Sequence, residues 1–198
     1  MKAAEQDRPD VAERRAAWVL RQAGLDPEKV LFLDECGAKT NMARTHGRAP
    51  AGTRLVAKVP HGHWKSTTFV SALGRRGWVA PLTIDGAMNG KLFRAYVEQQ
   101  LAPQLKPGDV LICDNLSSHK VAGVREALQH VGAEILFLPP YSPDFNPIEL
   151  AFSKLKRHLR TAAARTVTDL EDACGQALNH FTTDEIQNYM THCGYRHT

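Results

Sequence analysis

Two apolar runs in this chain end on a carboxylate, LFLD at residues 31–34 and LICD at 111–114. Each reads as a short strand, and a buried strand seldom finishes on an acid unless that acid is capped, paired or bound to metal. The elements around them limit the fold further. A helix is expected over 10–23, with Asp10 as its N-cap and Gly24 as its stop. A strand follows at 29–35. The runs TTFVSAL (67–73) and WVAPLTI (78–84) flank GRRG and predict a hairpin in which Pro81 belongs to an edge or a bulge. Residues 36–66, rich in Gly, Pro, Thr and Arg, predict a strand and long loops. The periodicity predicts a helix over 89–105 with Leu92, Phe93, Tyr96, Val97 and Leu101 on one face. A strand at 109–115, a helix at 118–131, a strand at 134–139 and a helix at 147–160 come next. The tail reads as helical from 168 to 190. An antiparallel hairpin combined with strand–helix–strand order means a mixed sheet flanked by helices, an α/β fold. Sheets of this kind place ligands beyond the carboxyl ends of their parallel strands, where Asp34 and Asp114 stand.

The 198 residues, at 21.9 kDa and 43% hydrophobic, suit one ordinary domain with a real core. No apolar run approaches the ~20 residues that cross a bilayer. The opening MKAAEQDRPD has no apolar signal segment. A soluble, cytoplasmic protein with no membrane partner is therefore expected. Cys36, Cys113, Cys174 and Cys193 form no C-x-x-C pair, and Cys113 reads as a buried thiol. Charge is distributed unevenly. From Cys36 to Ile84 there is no Asp or Glu, yet eight Lys or Arg residues occur. Such a segment is either a solvated basic surface or a wall that lies against phosphates.

A third acid stands behind LFLPPYSPDFNPIELAF at 136–152. Prolines 139, 140, 143 and 147 restrict φ along the approach to Glu149. Asn146 as N-cap, Pro147 at N1 and Glu149 at N3 also spell a capping box, so Glu149 has a purely structural reading as well. Either Asp, taken alone, serves equally as a turn or helix cap. On the helical wheel Ile148, Ala151, Phe152, Leu155 and Leu159 form an apolar stripe, while Glu149 lines up with Ser153, Lys156 and Arg160. Three acids in one site repel and raise one another's pKa, which divalent cations relieve. There is no P-loop, nucleophile elbow or dinucleotide fingerprint.

LFLDE, CDNLSSH and LPPYSPDFNPIE, in that order, resemble the catalytic domain of a DDE transposase. The likeness is to the mariner-like superfamily and most closely to its bacterial insertion-sequence six-thirty branch. Asp114 and Glu149 are separated by 34 residues, as in that superfamily. KTNMARTHGRAPAGTR and VPHGHWKSTTFVSAL are similar to the same branch, and the resemblance runs over residues 15–195. It implies an RNase H-like fold, a mixed five-stranded sheet with helices on both faces. It implies two ions of Mg²⁺ or Mn²⁺ held by Asp34, Asp114 and Glu149. The implied reaction is cleavage of DNA by water, then attack of the freed 3′-hydroxyl on target DNA. Asn115 and His119 match motif positions near the site. The candidates for contact with DNA are Lys39, Arg44, Arg48, Lys65, His119, Lys156 and Arg160.

The expected division is a helical extension or linker remnant at 1–28 and the catalytic domain at 29–198. The relatives carry helix-turn-helix domains ahead of the catalytic domain, and 28 residues are too few for one. The expected partners are therefore transposon ends and target DNA, a second copy in a homodimer, and an upstream helix-turn-helix subunit or reading frame. The resemblance places the protein on the bacterial nucleoid. Two other readings use the same residues. One is a non-catalytic, DNA-binding or regulatory remnant. The other is an RNase H-like nuclease or four-way-junction resolvase.

Overall fold

The computed structural model describes residues 3–196. Its strands are β1 (Val30–Lys39), β2 (Ser66–Gly74), β3 (Gly77–Asp85), β4 (Val110–Cys113) and β5 (Glu134–Phe137). Its α-helices are α1 (Pro9–Gln22), α2 (Gly90–Tyr96), α3 (Val124–His130), α4 (Pro147–Ala162), α5 (Val167–Leu178) and α6 (Thr183–His192). The strands form one sheet in the order β3-β2-β1-β4-β5. The first three pair antiparallel, and β4 and β5 continue parallel to β1. This is the mixed, helix-flanked sheet expected from the order of elements.

Strand alternation divides the core between the two faces. Phe32, Phe69 and Ile112 face a cluster with Ile148, Phe152 and Leu155 of α4. Leu31, Leu33 and Val70 face a second cluster with Phe93, Tyr96 and Leu128. The predicted α4 stripe is buried in full, Ile148 and Leu155 completely. Each such Leu, Ile or Phe contributes about 1.5–3 kcal/mol of transfer free energy, so packing rather than helix propensity holds α4 in place. All four cysteines are free and buried. Among the described residues, no helix is long and apolar enough to cross a membrane.

β1 extends four residues past its expected end because β2 pairs with it as far as Lys39, whereas β4 accompanies only Val30–Leu33. Pro81 lies on the edge strand β3, at a register shift opposite β2 where Ala80 has φ 52°. Other boundaries differ from expectation. Pro9 opens α1, and Asp10 lies inside its first turn bonded to Arg8 rather than capping it. The helix predicted at 89–105 passes at Val97 into a π turn and then a 3₁₀ turn, and its Leu92 is exposed. The helix predicted at 118–131 splits into a 3₁₀ turn, Ser117–Lys120, and α3. Gly123 at the break has φ 94°, and a Cβ there would stand 2.6 Å from the Arg94 guanidinium carbon. The helical tail is two helices, α5 and α6, each capped by a threonine hydroxyl.

Candidate active site

Register brings the first two acids side by side. Leu33 pairs with Cys113, and Cys113 with Phe137. Parallel pairing thus stops on one line across three strands, and Asp34 and Asp114 are the next residues on theirs. Glu149 enters from the first turn of α4, with Pro147 at that helix's start. Asp34, Asp114 and Glu149 all line one cavity of about 640 Å³, walled by the proline loop from Leu138 to Pro143. Three segments remote in sequence therefore meet there.

Each acid is held differently. Asp34 is 7% exposed. Its Oδ2 accepts from Asn146 Nδ2 at 2.9 Å, and its Oδ1 from the Glu35 N–H at 2.8 Å. Burial pushes its carboxyl up to about 7; the Glu35 N–H opposes this, and the charges of Glu149, Asp114 and Glu35 add to it. Asp114 accepts from the Leu116 N–H at 3.0 Å. Its Oδ1 also stands 2.7 Å from His119 Nδ1, close enough for an ion pair but out of line for a hydrogen bond. Burial would raise the Asp114 carboxyl, but His119 and the Leu116 N–H hold it below its ordinary value.

Glu35 faces away from Asp34, as strand alternation requires, and finds a partner on the other side. His119 Nε2 lies 2.9 and 3.2 Å from its two oxygens. The His119 ring is fully buried and stacks on Phe93 at 4.4 Å between centroids. Burial would lower its pKa, yet Asp114 and Glu35 together raise it to about 9. This ring ties two carboxylates together inside the protein and presents no surface to DNA, unlike the contact expected of it.

The capping box does not form. Asn146 makes no side-chain cap, because its amide is turned to Asp34. An asparagine before proline carries a strong capping signal, and only the fold reveals the competing carboxylate. The loop that presents Asn146 is gripped from α1. Arg15 bonds both Asp144 oxygens at 2.9 and 2.6 Å and Ser142 Oγ at 2.8 Å, with its guanidinium 4.4 Å over the Phe145 ring. From the tail, Tyr195 Oη donates to the Phe145 carbonyl at 2.9 Å and accepts from Trp18 Nε1 at 3.1 Å. Tyr141, at the lip of the cavity, has φ 55°. None of these contacts has a short-range signature in sequence.

The three acids were expected to meet tightly enough to share metal. Among the described residues, no three His, Cys, Asp or Glu side chains are grouped closely enough to hold an ion. Like charges repel, and here Asp34 and Asp114 have each taken separate protein donors. The donor chemistry nonetheless suits a hard cation. Every candidate ligand is an oxygen, Asp34 is poorly stabilised as an anion, and Asn146 Oδ1 is a buried oxygen without a partner.

Two of the basic candidates share a cavity. Arg44 and Arg160 line a second cavity of about 590 Å³ on the flank of α4, together with Ser153, Lys154 and Arg157. Lys39 is exposed at the end of β1, and Arg48 and Lys65 are exposed in the long 40–65 connection. Lys156 is half-buried near Cys36, whose thiol its charge reaches. The helical wheel follows the column below Glu149 and so does not single out Lys154 or Arg157 of that cavity lining.

A mixed sheet in the order β3-β2-β1-β4-β5, with one acid inside β1 and another just after the neighbouring β4, defines the RNase H-like class of folds. Within that class, residues 29–171 match the DDE superfamily endonucleases, and the chain belongs to that family. The strand-transfer complex of Mos1 superimposes with TM-score 0.74 at 15% identity, over 96% of this chain and 59% of that one. The mariner Mos1 paired-end complex with Mg gives 0.74 at 16% identity, over 98% and 62%. The isolated catalytic domain of Mos1 mariner transposase gives 0.65 at 13%, over 98% and 89%. At these identities the likeness is one of fold. The chain spans about three-fifths of the Mos1 chains in the complexes. No curated protein sequence gives a significant match.

Proposed function

We propose that this chain is a transposase catalytic domain that cleaves DNA and transfers its strands with a divalent metal. The observation that carries this reading is the convergence of Asp34, Asp114 and Glu149 from β1, β4 and α4 on one cavity, in a chain of the DDE endonuclease family. Mos1 neighbours were crystallised with Mg and with Mn. Here Asp34, Asp114 and Glu149 would hold Mg²⁺ or Mn²⁺, two ions in all. A bound ion supplies charge neutralisation and an activated water or 3′-hydroxyl for in-line attack at phosphorus. Asn146 orients Asp34, and His119 keeps Asp114 ionised and aimed. The substrates are transposon ends and target DNA, consistent with neighbours that include a Mos1 complex with a left transposon end. Two ends joined in concert call for a homodimer, with end recognition supplied by a helix-turn-helix subunit or reading frame and a site of action on the nucleoid.

Asp114→Ala should abolish Mg²⁺- or Mn²⁺-dependent nicking of duplex DNA, with the circular dichroism spectrum unchanged. Nicking at the parent rate by that variant would remove the assignment. The engagement of both Asp34 oxygens by protein donors favours a second reading, a DNA-binding remnant without turnover. DNA binding by the parent with no nicking in Mn²⁺ selects it. Preferential cutting of RNA–DNA hybrids or four-way junctions selects a nuclease or resolvase instead.

A further inference from the structure

A polyanion laid across the three acids must be held by positive charge on either side of them. One such flank is the α4 cavity with Arg157 and Arg160. A second flank is on α1, outside the region that matches the family. A cavity of about 330 Å³ opens there between α1 and the end of β5, lined by Arg14, Trp18, Arg21 and Phe137. It shares Asn115, Leu138, Pro139 and Pro140 with the carboxylate cavity, so the two adjoin along one wall.

The chemistry of this cavity suits phosphate more than a base. Trp18 is 5% exposed, and its indole N–H is committed to Tyr195, so it forms a wall and offers no free stacking face. The ion pairs of α1 are Arg8–Asp10, Arg15–Asp144 and Arg21–Glu134, which leaves Arg14 without an acid among the described residues. The Arg21–Glu134 pair is 3.3 Å long with both side chains more than half exposed, a contact that solvent makes weak and exchangeable. Arg14 and Arg21 are seven residues apart, so they share a face two turns and roughly 10 Å long. That length matches about three nucleotides at 3.4 Å of rise per strand residue.

We infer that α1 carries the second arm of the DNA path: Arg14 and Arg21 hold the phosphodiester backbone of the strand to one side of the carboxylates, while Arg157 and Arg160 hold it on the other. This rests on the DNA-cleaving reading above. The test is equilibrium binding of a labelled DNA duplex by the full chain in EDTA, titrated between about 50 and 200 mM salt. The Arg14→Glu/Arg21→Glu variant should bind more weakly, with a log K against log[salt] slope shallower by about 1 for each arginine. Arg14→Lys/Arg21→Lys should keep most of the slope. Lys106→Glu, an exposed charge reversal just before β4 and so at the far end of the strands, should leave the slope at the parent value.

A parent slope in the double Glu variant overturns the α1 arm and leaves the catalytic reading standing. An equal loss in Lys106→Glu also overturns the arm, because net charge would then explain it. A parent chain that does not bind DNA overturns both.

Discussion

His119 shows how much one buried ring can govern. It lies between Glu35 and Asp114, and its pKa is raised from 6.5 to about 9. A group whose pKa is higher folded than unfolded stabilises fully below its unfolded value, and that stabilisation is lost as pH rises through the folded one. For His119 the window is 6.5 to 9. Asp34 behaves with the same sign lower down. The unfolded chain releases its proton near 4 and the folded chain near 7, so stability falls across that interval as well. In EDTA the urea midpoint should therefore decline from pH 4 to pH 9. His119→Gln should flatten the upper part of that decline and Asp34→Asn the lower. A parent curve already flat between pH 6.5 and 9 would mean that His119 is not charged.

At the scale of elements, the proline loop is held by its neighbours and not by its own rigidity alone. Arg15 of α1 and Tyr195 of the tail both anchor it, and it in turn delivers Asn146 to Asp34. Arg15→Ala should cost about 1–2 kcal/mol, the charged-hydrogen-bond range reduced because Asp144 is half exposed. Amide exchange at Phe145 and Asn146 should accelerate, and Arg15→Lys should restore part of the protection. Unchanged exchange in Arg15→Ala would show that the prolines suffice. The helix behind the loop was readable in advance, because the α4 stripe repeats at the helical period and every member of it is buried. The π turn at Val97–Leu101 was not, since the same apolar spacing suits an unbroken helix.

Across the whole molecule, packing is unequal. Both faces of the sheet are packed, yet residues 44–59 are exposed without a break, Leu55, Val56 and Val59 among them. Few backbone hydrogen bonds tie that stretch down, Thr53 N–H to the Pro50 carbonyl being one. Limited trypsin digestion should cut first at Arg44, Arg48, Arg54 or Lys58, leaving a core fragment from β2 onward intact. First cuts within α4 or α5 would contradict this. The order of strands and helices and the α4 stripe were legible along the chain, because period and turn chemistry are local properties. Which side chain satisfies which was decided only by the assembled fold. Asn146 gives up its cap for Asp34, His119 binds Glu35 across 84 residues, and Arg15 reaches Asp144 across 129. A buried polar group must find a partner wherever the packing supplies one, and no local pattern encodes a partner that distant.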